Sequence, residues 1–200
     1  MSYAIVGFGA IGQALARAFA RKNIDVTIAS RRQPEELAPQ ARAIGPRVLA
    51  KSLRDALEAD TIILAVPFGE HREVAKARPS WEGKTVIDAT NAFGVPSEEL
   101  DGLPSSAFVA KAFTGAKLVK SFNHLIAATL AADPLVEGGH RVVFLSSDDE
   151  DAIAPVAALA KQLGFAPVNL GKLNEGGALV HARGRTWGQL IFQDLFKKEQ

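Results

Sequence analysis

Three glycines near the N-terminus, Gly7, Gly9 and Gly12, stand in the spacing G-x-G-x-x-G within the run Tyr3-Ala4-Ile5-Val6-Gly7-Phe8-Gly9-Ala10-Ile11-Gly12. An apolar strand that passes through such a turn into a helix leaves free N–H groups at the helix start, where they suit the phosphates of a dinucleotide. Gly7 would permit the turn, Gly9 would let a pyrophosphate approach the backbone, and Gly12 would let the helix lie close on its strand. Phe8 and Ala10 complete the predicted turn, and Ile11 is expected to hold the nicotinamide together with Pro67 and the Asn91 loop. The same spacing also occurs in glycine-rich turns that bind nothing, so its reading depends on the strands and strand ends further along the chain.

About twenty residues past the glycines, a second apolar stretch over 25–29 ends at Ser30-Arg31-Arg32, the place where a dinucleotide-binding protein reads the adenosine ribose. Selectivity for NAD calls for Asp or Glu there, to accept from the ribose 2′-hydroxyl. This chain offers a hydroxyl and two guanidinium groups instead. Arg carries a permanent charge and a planar fork that match a phosphate dianion, so the residues point to NADP(H), with Ser30, Arg31 and Arg32 on its 2′-phosphate.

Later strand ends supply the other candidates. The run over 61–66 is continuous and largely β-branched, as expected of a strand covered on both faces, and it stops at Pro67. Ligands of a doubly wound sheet lie off the carboxyl ends of its strands, which places Ala65, Val66 and Pro67 beside the cofactor, with the proline ring as an apolar wall that donates no hydrogen bond. A strand over 84–88 runs into Ala89-Thr90-Asn91, making Asn91 the next cofactor-facing candidate, and a strand over 118–122 runs into Asn123-His124. Were these strands parallel, their ends would share one rim with the glycine turn. His124 is read as a hydrogen-bonded structural residue, with a general acid as the alternative reading, and no catalytic side chain is assigned.

These residues need elements to hold them. Pro34-Glu35-Glu36-Leu37 opens a short helix, with Pro and acids in its first turn. A third strand over 47–51 precedes a helix over 53–59 capped by Ser52, and a helix over 105–113 has a serine available as its cap. After residue 130 comes a linker-like patch with Pro134, Gly138 and Gly139. It is succeeded by a new unit: a strand over 141–145, acids at 148–151, a helix over 152–163 stopped by Gly164, and a strand over 165–170 whose Pro167 suggests a sheet edge. Pro155 requires an early place in that helix. The tail, with Leu179, Val180, Trp187, Leu190, Ile191, Phe192, Leu195 and Phe196, is too apolar for a solvated end and is expected to cover the sheet or to form a homodimer interface.

Composition narrows the function classes. With 23 Lys and Arg against 22 Asp and Glu, the net charge of +1 supplies no single-signed field for nucleic acid or an anionic membrane, so a small-molecule partner is expected. The absence of cysteine excludes disulfides and thiolate chemistry and leaves redox work to a bound cofactor. His71, His124, His140 and His181 show no metal-ligand spacing. The first strand starts at residue 2 or 3 and no apolar run approaches a membrane span, so a cytoplasmic protein is expected. Strands alternating with helices give an α/β class: a doubly wound, mostly parallel sheet of Rossmann type with helices on both faces, one unit over 1–200 with a core over 1–130 and an extension over 131–200 packed on it.

Taken together, Gly7 to Gly12, Ser30-Arg31-Arg32, Leu64-Ala65-Val66-Pro67, Asp88-Ala89-Thr90-Asn91, Val119-Lys120-Ser121-Phe122-Asn123, Leu163-Gly164-Phe165 and Gly171-Lys172-Leu173 resemble the deazaflavin (coenzyme F420)-dependent NADP oxidoreductases and their relatives. That group also includes the NADPH-binding domain of membrane ferric reductases. The resemblance covers nearly the whole chain, although Asn91-Ala92 stands where family members often read Asn-Pro. It implies hydride transfer between NADPH and a flavin-like ring, deazaflavin or flavin, in a cleft between core and tail. Two other readings stay open: an NADPH-dependent reductase of another small acceptor such as a quinone, and a non-enzymatic NADPH-binding sensor. No Tyr-x-x-x-Lys motif is present, and Tyr3 is the only tyrosine.

Overall fold

The computed structural model describes residues 1–180. Its first strand, β1 (Tyr3–Val6), is followed by the helix α1 (Ala10–Arg21), whose small and apolar residues Ala14, Leu15, Ala18 and Phe19 all face inward. Phe19 meets the ring of Tyr3 edge-on, with centroids 5.4 Å apart, and locks the helix onto its strand. Lys22 caps the helix, and Asn23 takes the left-handed conformation just beyond it, a role asparagine tolerates.

The unit repeats through β2 (Val26–Ala29), α2 (Pro34–Ile44), β3 (Val48–Ala50), α3 (Leu53–Ala56) and β4 (Thr61–Leu64). Helix α2 is longer than the short helix expected from its opening residues. It continues through Pro39, which removes one backbone donor, because Leu37 and Ala41 are buried on the sheet. Helix α3 is shorter than expected, a single turn, with the predicted cap in place: Ser52 Oγ accepts from Asp55 N at 3.1 Å. A 3-10 turn over Phe68–Glu70 leads into α4 (His71–Lys76), and β5 (Thr85–Asp88), α5 (Ser105–Ala112) and β6 (Lys117–Ser121) come next. The serine cap expected for α5 is not used: Pro104 is its N-cap, while Ser105 and Ser106 lie inside the first turn and are buried.

The patch after residue 130, expected to be a linker, is instead structured: it begins at the end of α6 (Ala127–Ala131) and forms a small hairpin of β7 (Leu135–Val136) and β8 (Gly139–His140). Leu130 is fully buried against the core, which is what orders this helix. The chain then adds β9 (Val142–Ser146), α7 (Glu150–Gln162), β10 (Ala166–Asn169) and the short α8 (Gly176–Leu179). Helix α7 starts two residues earlier than expected, so that Glu150 and Asp151 occupy its first turn and meet its positive end. Pro155 lies inside this helix.

Among the described residues the main sheet has eight strands in the order β10-β9-β6-β5-β4-β1-β2-β3. Strands β1 to β6 are all parallel, and the order reverses between β1 and β4. Alternation separates the two faces: Ile5, Ile63, Ile87 and Val119 point to one cluster with α1 and α7, while Val6, Ile62, Leu64 and Val86 point to another with α4 and α5. This is a Rossmann-type, doubly wound, mostly parallel α/β fold. Strand β9 departs from it by pairing antiparallel to β6, with Lys120 opposite Ser146, and β10 runs parallel to β9 as the edge strand that Pro167 suggested. The acids at 148–151 therefore lie towards the rim opposite the glycine turn, where Asp151 comes within 3.7 Å of Lys117. The tail residues Trp187, Leu190, Ile191, Phe192, Leu195 and Phe196 lie outside the described residues.

Two glycines let the turn sit against β4. Gly7 has φ of +100°, and a Cβ there would lie 2.3 Å from the Ala65 carbonyl oxygen; a Cβ on Gly12 would lie 1.9 Å from the Gly7 carbonyl oxygen. Both contacts are with backbone, which cannot swing aside. Gly12→Ala should therefore lower the unfolding free energy by about 1 to 3 kcal/mol or more, measured by urea titration, despite the higher helix propensity of alanine.

Candidate functional site

The turn after β1 is pinned from both sides: Gly7 N donates to Ala29 O at the end of β2, and Ala65 N donates to Val6 O, each at 2.8 Å. A cleft of about 410 Å³ opens at this point, off the carboxyl ends of β1, β2 and β4. Val6, Gly7, Phe8 and Gly9 form its floor, Ser30, Arg31 and Arg32 one side, and Ala65, Val66 and Pro67 the other. Most of the predicted cofactor residues thus converge on one cavity. Leu53 and Val74 add apolar wall.

The start of α1 is open toward a ligand. Gly9 is its N-cap, no side chain caps its first N–H groups, and its first turn of Ala10, Ile11 and Gly12 holds no acid. The contrast with α2 and α7, which carry Glu35 and Glu36 or Glu150 and Asp151 there, leaves the positive end of α1 free to meet an anion. A Cβ on Gly9 would meet no protein atom within 4 Å, so packing within the protein does not require glycine at this position. These features fit the pyrophosphate of a dinucleotide.

At the end of β2, Ser30 Oγ accepts from Arg32 N at 3.1 Å, shaping the turn that presents both guanidinium groups. Arg32 reaches Gln40 Oε1 at 3.3 Å. Arg31 pairs across the cleft with Glu70, Nη1 to Oε1 at 3.0 Å, with side-chain exposures of 84% and 33%. Sequence reasoning alone does not single out Glu70. Its only sequence signal is an acid four residues past Val66, in a turn that directs it back toward the basic pair.

Asn91 stands elsewhere. Its Nδ2 donates to Asn123 O at 2.7 Å, and its Oδ1 accepts from Asn123 Nδ2 at 3.1 Å, so its amide ties the ends of β5 and β6 together. Asn91 does not line the cleft. Asn123 Nδ2 also donates to Val180 O at 2.9 Å, holding the last described residue at this rim. Beneath the pair lies a buried ion pair, Lys120 Nζ to Asp88 Oδ2 at 3.0 Å, with exposures of 2% and 0%. Thr90 donates its N and its hydroxyl to Asp88 Oδ1, at 2.9 and 2.7 Å, and its carbonyl accepts from Lys120 Nζ. Burial pushes the Lys120 ammonium below its ordinary pKa, while the Asp88 carboxylate works the other way. The cluster fixes the backbone that carries Asn91.

His124 is buried just past the end of β6. Its Nε2 donates to Val142 O at 3.2 Å, its ring lies 4.9 Å from that of Phe144, and it is 3% exposed. Desolvation pushes its pKa down to about 4, so the ring is neutral near pH 7. Among the described residues no group of three or more His, Asp or Glu converges to hold a metal ion, and no helix is long and apolar enough to cross a membrane.

Comparison with known proteins agrees with this geometry. Residues 2–92, which carry the glycine turn, the Arg pair and Pro67, match the family described as NADP oxidoreductase, coenzyme F420-dependent. The crystal structure of hypothetical protein SMa0349 from Sinorhizobium meliloti is 43% identical, with a TM-score of 0.86 over 92% of this chain and 91% of that one. A candidate F420-dependent NADP-reductase from Arthrobacter sp. FB24 is 26% identical, with a TM-score of 0.73 over 86% of each chain. Metalloreductase STEAP3 of Rattus norvegicus is 27% identical over 172 residues, 84% of this chain and 33% of that protein. The chain thus spans about a third of the length of that curated relative.

His124 also leaves a signature in solution. Its proton affinity is lower folded than unfolded, so its contribution to stability is full above the unfolded value near 6.5 and is lost as pH falls toward about 4. Between pH 7 and pH 4.5 the unfolding free energy of the wild type should drop relative to that of His124→Gln by about 2 kcal/mol, read from urea titrations at each pH.

Proposed function

We propose, for a chain that belongs to the coenzyme F420-dependent NADP oxidoreductase family, that the cleft at the end of β1 binds NADP(H) and that the protein transfers a hydride between NADPH and a small flavin-like acceptor of the deazaflavin class. The observation that carries this reading is the convergence on one cavity of the uncapped, acid-free start of α1 and the Ser30-Arg31-Arg32 turn. The first suits a pyrophosphate and the second a 2′-phosphate.

Bound NADPH would supply the hydride. What the chain contributes is binding, orientation and the exclusion of water. The N–H groups of Ala10, Ile11 and Gly12 in the uncapped first turn of α1 would hold the pyrophosphate, Arg31 and Arg32 would grip the 2′-phosphate, and Val66 and Pro67 present an apolar wall that would offer the nicotinamide no competing donor at Pro67. The Asn91–Asn123 pair, seated on Asp88 and Lys120, fixes the adjoining rim on which an acceptor would rest. His124 and Lys120 are buried and engaged elsewhere, so neither presents an exposed proton donor. A ring that takes up a hydride and delocalises the resulting charge asks little acid–base help from its host, and this favours a flavin-like acceptor over a carbonyl compound.

The test is anaerobic stopped-flow with NADPH against deazaflavin, FMN, FAD and quinones. Rapid, saturable oxidation of NADPH by the deazaflavin is expected; turnover with a quinone alone would move the assignment to the quinone, and turnover with none would favour a sensor. Calorimetry should show NADPH preferred over NADH by on the order of hundreds-fold or more, since two charge-assisted hydrogen bonds at roughly 1.5 to 3 kcal/mol each separate them. Arg31→Ala should remove much of that preference with little change in NADH affinity. Gly9→Val should abolish binding of both dinucleotides while circular dichroism stays that of the wild type, because the valine side chain fills ligand space and meets no protein atom at its Cβ.

A further inference from the structure

The Arg31–Glu70 pair belongs to the cleft's own lining. Glu70 closes the 3-10 turn after β4, where its N donates to Pro67 O at 2.9 Å, and both Glu70 and Arg31 line the cavity. In the sheet order β4-β1-β2, the pair bridges the two strands that flank β1, in front of the glycine turn. Arg32, by contrast, is engaged by the neutral amide of Gln40, and the second acid of the cavity, Glu73, is paired with Lys76 at 2.8 Å. One of the two guanidinium groups is therefore held by an anion of the protein itself, and that anion sits where a 2′-phosphate would compete for it.

We infer that Glu70 is a specificity-determining residue, a built-in competitor that a 2′-phosphate must displace from Arg31. The inference rests on the NADP(H) reading and deepens it. A carboxylate and a phosphate seek the same fork of N–H donors, so NADPH binding exchanges one anion for the other, and NADP(H) release returns Arg31 to Glu70. NADH carries no 2′-phosphate and leaves the pair intact. Glu70 thus weakens NADPH, quickens its departure and narrows the preference over NADH. An ion pair this exposed is worth up to about 1 kcal/mol, which converts to an effect of about two- to fivefold.

The experiment measures the affinities of NADPH, NADH and adenosine 2′,5′-bisphosphate by calorimetry for the wild type, Glu70→Gln, Glu73→Gln, Arg31→Ala and the Arg31→Ala/Glu70→Gln double variant, with dissociation rates from stopped-flow. Glu70→Gln should tighten NADPH and the bisphosphate about two- to fivefold, slow NADPH dissociation by a similar factor, and leave NADH unchanged. The gain should vanish on the Arg31→Ala background. No tightening in Glu70→Gln, an equal gain in Glu73→Gln, or a gain that persists without Arg31 would each overturn the inference, the last two because they would mark a general charge effect of the cleft. Equal wild-type affinity for NADPH and NADH would overturn the NADP(H) reading itself, and it is read from the wild type alone.

Discussion

The contact on which the rest of the molecule depends is backbone against backbone. Gly7 turns at φ of +100° within van der Waals reach of Ala65, and Gly12 rests on the carbonyl of Gly7, so β1, α1 and the end of β4 meet with no side chain between them. Only glycine allows approaches this close. Their consequence is functional as well as structural. Because β4 lies directly against the turn, the apolar residues just past it, Val66 and Pro67, form the wall opposite Arg31 and Arg32. Gly9 differs from the other two in kind, since nothing in the protein stands where its side chain would be.

A second constraint organises the neighbouring rim. Asp88 and Lys120 face each other at the carboxyl ends of β5 and β6 with almost no exposure, a placement that would be costly for either charge alone. Thr90 satisfies the remaining carboxylate oxygen and accepts from the ammonium, so the pair is hydrogen-bonded as well as neutralised. The result is a rigid seat under the reciprocal Asn91–Asn123 amides, which in turn hold Val180. Cleft and rim are thus built by different means: close glycine packing in one, a buried polar cluster in the other.

The reversed pair β9 and β10 sets which end of the sheet the later chain serves. Since β9 runs against β6, its start lies beside the end of β6, where Val142 meets His124, and its acids are carried toward the far rim. Helix α7 brings the chain back to the near rim, where β10 starts beside β9, and after β10 the stretch from Gly171 to Val180 makes the return a second time. Gly176 and Gly177 allow that return, because a Cβ on either would press within 3 Å of Leu170 or Ser146.

Local chemistry was sufficient for much of this. The glycine spacing, the basic residues in place of an acid after β2, the continuous apolar run of β4, the cap at Ser52 and the edge position of Pro167 each follow from a few adjacent residues, because dihedral freedom, hydrogen-bond capacity and hydrophobic period are properties of short segments. What only the tertiary structure decided are the partners of side chains distant in sequence. Asn91 has no visible partner until Asn123 is placed beside it, Glu70 reads as a loop acid until Arg31 faces it, and the patch after residue 130 reads as a linker until Leu130 finds the core. The direction of β9 belongs to the same class. Strand orientation and side-chain pairing are settled by which surfaces can be buried together, and that depends on contacts between elements that no single stretch of sequence contains.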